Sequence, residues 1–125
     1  MIKKTISAAC AVLLALASAS CQKSNVEQYL GIRDEIADVM NKIHDEKSAD
    51  KYADELHEIL EKRTLLDKSM TAQEKAEVQA YCAEHFEEIL KCGIRMEPDK
   101  QRIQNNHYYN SQKLRRIMGS PDFHL

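Results

Sequence analysis

Apolar residues recur every three or four positions along this chain from Tyr29 onward, and this spacing constrains the fold more than any other feature. Side chains repeat on one face of an α-helix with that period, whereas a half-buried strand requires alternation of apolar and polar residues. No stretch alternates in that way, and only 3 Gly and 2 Pro are present to interrupt helices. The pattern therefore predicts an all-α fold.

The first two predicted helices are bounded by polar residues that cap helices. Residues 24–27 have the Ser-x-x-Glu form of a capping box, in which the serine oxygen and the glutamate carboxylate accept hydrogen bonds from backbone N–H groups. The apolar stripe that follows predicts a helix to about Glu46. Ser48 is predicted to cap the second helix, which should end near Ser69.

The third and fourth predicted helices occupy the rest of the chain. Residues 71–74 form another capping box, and the apolar stripe behind it includes Phe86, which we expect to be buried. The third helix is predicted to end at Cys92–Gly93, where the glycine would adopt the left-handed conformation. Pro98 suits the first turn of a fourth helix, which should end at Gly119.

The predicted connections are only a few residues long, so consecutive helices should run antiparallel. The sequence thus predicts a small antiparallel bundle of about four helices over residues 26–119, followed by a tail over 120–125. About 100 residues can form one thin hydrophobic core and no second domain.

Residues 1–20 have the organisation of a secretory signal peptide. Lys3 and Lys4 supply a positive start, and the apolar run over residues 6–17 is shorter than the roughly 20 residues that a permanent membrane helix needs. Two cleavage positions are open. Ordinary signal peptidase could cut after Ala19, and a lipoprotein signal peptidase could cut before Cys21.

The residues around the second position, Ser18-Ala19-Ser20-Cys21, resemble the lipobox of bacterial lipoprotein precursors, although an aliphatic residue is usual where Ser18 stands. The resemblance covers residues 1–21 only. It implies that Cys21 carries a covalent lipid, that residues 21–25 are a polar tether, and that the protein is anchored in the bacterial cell envelope, on the periplasmic side or at the outer membrane. Under the alternative cleavage the protein is secreted and soluble.

Net charge gives no sign of a nucleic-acid partner. Of the 18 basic residues, Lys3 and Lys4 belong to the leader, which has no acid, so 16 basic residues face 20 acidic ones in the remainder. A chain with this balance has no excess positive charge to hold phosphates. It also has no phosphate-binding loop, nucleophile elbow or zinc-protease motif, so we predict no enzymatic activity.

The four cysteines divide unequally, since Cys10 lies in the leader and Cys21 is the predicted lipid acceptor. Ten residues of one helix rise about 15 Å, so Cys82 and Cys92 cannot form a disulfide within a continuous helix, because that bond needs Cα atoms within about 7 Å. Either the helix breaks, the bond is intermolecular, or both thiols are free. With His85 they are also candidate metal ligands, although Cys82 and Cys92 are too far apart to hold one ion in an unbroken helix.

Two other pairs have side chains suited to cofactor chemistry. Met40 and His107 are the one pair that a helical haem protein could use as axial ligands, and covalent c-type haem is excluded by the lack of Cys-x-x-Cys-His. Asp54 and His57 resemble half of a di-iron motif, but the motif occurs once and is expected to be a solvent-exposed pair. We therefore predict no cofactor other than the lipid.

The fourth predicted helix carries the candidate protein-binding surface. Its apolar stripe passes through the polar residues His107 and Asn110, while Tyr108 and Tyr109 should point away from it and be at least half exposed. With Lys113 and Arg116 they form the predicted partner-binding set, because Tyr and Arg are enriched at protein interfaces. In the alternative, the helix breaks at residues 105–106, the tyrosines pack inward and His107 faces water.

These expectations leave three hypotheses for function. The first is a non-catalytic envelope lipoprotein that binds a protein partner or stabilises an assembly. The second is a metal- or haem-binding bundle. The third is a periplasmic chaperone, because residues 70–74 (MTAQE) resemble the Leu-Thr-x-x-Gln boxes of small helical stress proteins of the CpxP and Spy type, with Met for Leu and Glu for Gln.

Overall fold

The computed structural model of the chain describes residues 24–121 and Phe123. Across these residues the fold is all-α, which confirms the predicted class, with five helices and no strand. The leader, Cys21 and most of the tether, on which the predictions of cleavage and lipidation fall, lie outside the described residues. The helices are α1 (Asn25–Asn41), α2 (Glu46–Ser69), α3 (Ala72–Glu84), α4 (Phe86–Asn105) and α5 (Gln112–Met118), with a single turn of 3-10 type at His107–Asn110.

Contacts along the chain give the directions of the helices. α2 begins a few residues after α1 ends, and Glu35 in the middle of α1 pairs with Lys62 late in α2, at 3.5 Å, so these two helices run in opposite directions. Asn25 at the start of α1 donates a hydrogen bond to Glu74 near the start of α3. α4 runs parallel to α1: Asp34 lies 3.4 Å from Arg95, and the Met40 carbonyl accepts from Arg102 farther along both helices. α5 runs parallel to α2, because Ser111 bonds Asp50 and Lys113 pairs with Asp54.

Capping boxes begin two of the helices. At α3 the hydroxyl of Thr71 accepts from the N–H of Glu74 at 3.1 Å, and the carboxylate of Glu74 accepts from the N–H of Thr71 at 3.2 Å, as predicted. The hydrogen bond from the Thr71 N–H lowers the pKa of Glu74, and the one from Asn25 adds to it. Ser24 at the start of α1 accepts from the N–H of Glu27 at 3.2 Å, which is one of the two hydrogen bonds of the box predicted there.

The cap of α2 differs from the prediction. The first helix ends at Asn41 rather than near Glu46, and Asp45, not Ser48, is the N-cap of α2. Asp45 accepts from the N–H of Ser48 at 2.7 Å, and this hydrogen bond lowers the pKa of the Asp45 carboxyl. Ser48 returns the bond by accepting from the N–H of Asp45 at 3.0 Å. An aspartate with a serine three positions later completes the same reciprocal arrangement as Ser-x-x-Glu.

The predicted end of the third helix at Gly93 and start of the fourth at Pro98 are both wrong. Gly93 has no positive φ and lies inside α4, where it faces Arg33 of α1. Pro98 also lies inside α4, on its exposed side, where water can bond the carbonyl that proline leaves without a helical donor. The breaks fall instead at His85 and at residues 106–111. Residues 24–121 therefore form five helices where about four were predicted, and the last one begins at Gln112 rather than at Pro98.

The core lies between α1 and α2 and is completed by α4 and α5. Its buried side chains come mainly from α1 and α2, with Met96 and Ile103 from α4 and Leu114 and Met118 from α5. The members from α1 and α2 and their connection are Ile32, Ile36, Ala37, Val39, Met40, Ile43, Ala49, Ala53, Leu56, Ile59 and Leu66.

Candidate functional site

The turn between α4 and α5 has an unusual backbone. His107, Tyr108, Tyr109 and Asn110 all have positive φ, at 55°, 56°, 53° and 61°, so the chain makes one left-handed turn without a glycine. This conformation costs roughly 1–2 kcal/mol for each residue that carries a Cβ, with asparagine the least penalised of the common side chains. Contacts with the rest of the protein must therefore stabilise the turn.

Arg102 supplies one set of these contacts. Its guanidinium donates to the carbonyl of Met40 in the last turn of α1, at 3.1 Å, and to that of Ile43 just beyond the helix, at 2.9 Å. It also pairs with Asp99 one turn earlier on α4. Partial burial opposes its charge, but hydrogen bonds to Asp99 and Tyr109 raise the pKa of Arg102 above its ordinary value. Arg102 thus connects α1, α4 and the turn.

Ser111 anchors the other end of the turn. This residue is 2% exposed, donates its hydroxyl hydrogen bond to Asp50 near the start of α2, and accepts from the N–H of Leu114 at 3.1 Å as the N-cap of α5. The Ser111 N–H donates to the carbonyl of Tyr108 at 3.0 Å. A buried cap that also bonds a second helix fixes where α5 starts.

The two tyrosines are more than half buried and pack against the core, so the expectation that they are at least half exposed is wrong. The guanidinium of Arg115 lies 5.7 Å from the centre of the Tyr108 ring, and Tyr109 contacts Arg102. The expectation assumed a continuous helix from Ile103 to Ile117. The helix ends at Asn105 instead, so the alternative prediction holds: the tyrosines turn inward and His107 is exposed.

Lys113 and Arg116, the other two residues of the predicted partner-binding set, are exposed on α5. Both line a groove of about 560 Å³ between α2 and α5, and Lys113 pairs across it with Asp54 at 3.4 Å. The structure therefore separates the set into two: the tyrosines support the turn, and the two basic residues border a groove.

The candidate metal ligands do not converge. Cys82 and Cys92 are free thiols, although the helix does break between them. Cys82 lines a small pocket with Tyr29, whereas the thiol of Cys92 lies 3.8 Å from Asp34. His85 ends α3: its ring stacks on that of Tyr81, with centroids 3.9 Å apart, and its Nδ1 lies 3.0 Å from the Tyr81 carbonyl. In the part of the chain that the structure describes, no three His, Cys, Asp or Glu side chains cluster closely enough to hold a metal.

The other predicted pairs are also apart. Met40 is wholly buried in the core, while His107 is exposed on the turn. His57 is exposed, as expected, and pairs with Glu61 at 3.0 Å rather than with Asp54. His57 and Asp54 thus pair with Glu61 and Lys113, and Met40 belongs to the core.

A second surface, which was not predicted from the sequence, lies on α4. Phe86, Leu90 and Ile94 follow one another at intervals of one helical turn on α4 and are 61%, 48% and 62% exposed; we call them the α4 stripe. The expectation that Phe86 is buried is therefore wrong. A signal for this surface does exist in the sequence, because Ile89, Met96 and Ile103 form another stripe, about 120° away on the same helix. Only one stripe can face the core, and the structure buries the second.

Charged residues border the α4 stripe on one side. Glu87 and Lys91 are exposed there, one turn apart, and no contact is recorded for either within the described residues. The other side of the stripe passes through half-buried Gly93 and Ile89 to the core. The stripe is therefore an exposed continuation of the apolar side of α4.

Comparison of the chain with protein-family models, with curated proteins and with solved structures returns no match. No helix within residues 24–121 combines the length and the apolar character that a membrane crossing requires.

Proposed function

We propose that the protein is a lipid-anchored helical module of the bacterial cell envelope that binds another polypeptide without catalysing a reaction. Its anchor is Cys21, and its principal binding surface is the α4 stripe. Placement on the periplasmic side of a membrane or at the outer membrane follows from the same leader. Cleavage by ordinary signal peptidase, giving a secreted protein, is the alternative.

The observation that carries the binding role is the exposure of three large apolar side chains in succession. Phe86, Leu90 and Ile94 together expose apolar surface on the order of 300 Å², the size of the largest patches on monomeric proteins, which are often functional. Single exposed apolar residues are ordinary, but a row on one helix face is typical of a protein contact. The α4 stripe therefore supports a binding module better than a ligand carrier.

Mass spectrometry of the mature protein tests the anchor. We expect the chain to begin at Cys21 with a diacylglyceryl group and an acyl chain attached, and we expect Cys21→Ser to abolish both the modification and membrane association. An unmodified N-terminus at Ser20 would show that ordinary signal peptidase processes the chain and that the lipid is absent.

Photo-crosslinking in cells tests the binding role. A photoreactive amino acid at position 90 should give a discrete protein adduct, because Leu90 lies in the middle of the α4 stripe. The matched control is position 65: Leu65 is 66% exposed but stands on α2, outside the stripe. Equal adducts from positions 90 and 65, or none from position 90, would contradict the proposal.

A further inference from the structure

We propose that the occupant of the α4 stripe is a second copy of this chain, bound antiparallel about a twofold axis that passes beside Leu90. This inference rests on the proposed binding role and specifies its partner. In such a pair Phe86 of each copy packs against Ile94 of the other, and the two Leu90 side chains meet at the axis. The contact is self-complementary because the same three residues supply both of its sides.

The spacing of the stripe suits this arrangement. Phe86 and Ile94 lie four positions on either side of Leu90, so a twofold axis at Leu90 exchanges their places. All three point away from the core, about 120° from the buried stripe of Met96 and Ile103. Two copies can therefore approach along α4 without disturbing either core.

Charge distinguishes an antiparallel pair from a parallel one. Glu87 and Lys91 lie on the same edge of the stripe, three positions before and one position after Leu90. In an antiparallel pair this edge lies beside the same edge of the second copy, which runs in the opposite direction. Glu87 of each copy then lies near Lys91 of the other, so the contact contains two such ion pairs. A parallel pair would instead place this edge against the opposite edge of the second copy, where Gly93 and Ile89 lie, so neither charge would meet a charge of opposite sign. The edge charges thus favour the antiparallel twofold dimer.

The size of the stripe indicates a reversible dimer. An apolar area on the order of 300 Å² per copy falls below the roughly 800 Å² per partner of a standard stable interface. Anchoring both copies at one membrane would raise their effective concentration and favour the contact.

Disulfide crosslinking of the full chain, expressed with its own leader, tests the geometry. In a background with Cys82→Ser and Cys92→Ser, Leu90→Cys should form a covalent dimer on oxidation. Phe86→Cys alone and Ile94→Cys alone should each give a several-fold lower yield of covalent dimer. In the antiparallel pair, position 86 of one copy lies about 12 Å along the helix axis from position 86 of the other, and the same holds for position 94. Co-expression of these two variants should give a mixed dimer whose disulfide joins position 86 of one copy to position 94 of the other, identified by mass spectrometry.

Three outcomes would overturn the inference. Equal crosslinking of all three single variants would indicate a parallel pair, and equal crosslinking of the control Leu65→Cys would indicate random collision. Absence of a Leu90→Cys dimer would exclude the second copy as the occupant, and a photo-adduct of position 90 to a different protein would then leave the proposed binding role intact. The cysteine-substituted background without a new cysteine reports any crosslinking through Cys21.

Charge reversal tests the orientation independently. Glu87→Lys and Lys91→Glu should each reduce Leu90→Cys crosslinking by about threefold to tenfold, because each places like charges together twice. The two changes combined should restore crosslinking, since they exchange the charges and keep the pairing. A combined variant that crosslinks no better than the single ones would overturn the proposed pairing.

Discussion

Phe86 and the tyrosine pair Tyr108–Tyr109 differ from their predicted burial in opposite directions. Phe86 lies on a predicted core stripe but is 61% exposed, whereas the tyrosines were expected in solvent but pack against the core. In both regions apolar periodicity identifies which residues share a helix face. It does not identify which face meets the rest of the protein, or where the helix stops.

The two regions also differ in how they are held. The first half of α4 is an ordinary helix whose stripe has no contact inside the described core, and the strained turn is fixed by Arg102 and Ser111 through bonds to α1 and α2. The aromatic side chains of the turn should therefore matter for stability, while those of the stripe should matter for association. Four variants test this difference.

The largest effect is expected from the combined change Tyr108→Ala and Tyr109→Ala. Removing two half-buried rings that pack against the core should lower the free energy of unfolding by about 2–4 kcal/mol, because contacts are lost and cavities remain. Chemical denaturation of the purified protein measures this change. An unchanged free energy of unfolding would mean that the tyrosines do not contribute to the core, and it would favour the original prediction that they form a binding surface.

Arg102→Met should have the next largest effect. Methionine retains the apolar stem but removes the charged donors from the carbonyls of Met40 and Ile43, which should cost about 1.5–3 kcal/mol of unfolding free energy. Arg95→Met is the matched control, because Arg95 forms only an exposed ion pair with Asp34 at 3.4 Å. The control should change the free energy by less than about 1 kcal/mol. Equal effects from the two variants would argue against a role for Arg102 at the turn.

His107→Gly should stabilise the protein. The exposed imidazole makes no contact that the structure records, and glycine adopts a φ of 55° without the steric penalty of a Cβ. The gain is reduced by the greater backbone freedom of glycine in the unfolded chain, so we expect an increase of about 0.5–1 kcal/mol. A decrease in the melting temperature would show that the turn is not left-handed at this residue.

The smallest effect on stability is expected from Phe86→Ala. Because the ring is mostly exposed, its removal should change the unfolding free energy by less than about 0.5 kcal/mol at dilute concentration, where the proposed dimer is dissociated. Ile103→Ala, at a wholly buried position of the same helix, should cost about 2–5 kcal/mol. Similar losses of unfolding free energy for the two variants would indicate that Phe86 is buried in the core.

Local sequence was sufficient for the helical class, the capping box at Thr71, the end of α2 near Ser69 and the stripes of α1 and α2 that form most of the core. These features depend on residues a few positions apart, and the chain places those residues together in any fold. The short connections likewise predicted the reversal of direction between α1 and α2.

Tertiary structure decided the rest. Gly93 and Pro98 indicated a break, because a glycine inside a helix costs about 1 kcal/mol and a proline about 3 kcal/mol or more, but packing of Met96 and Ile103 on the core outweighs these costs. The left-handed turn depends on Arg102 and Asp50, which bond partners about 60 residues away along the chain. The sequence by itself determined the helical class and most of the core of α1 and α2. Long-range contacts alone decided that α4 continues through Gly93 and Pro98 and which of its faces is buried, because periodicity carries no information about the neighbour that a face will meet.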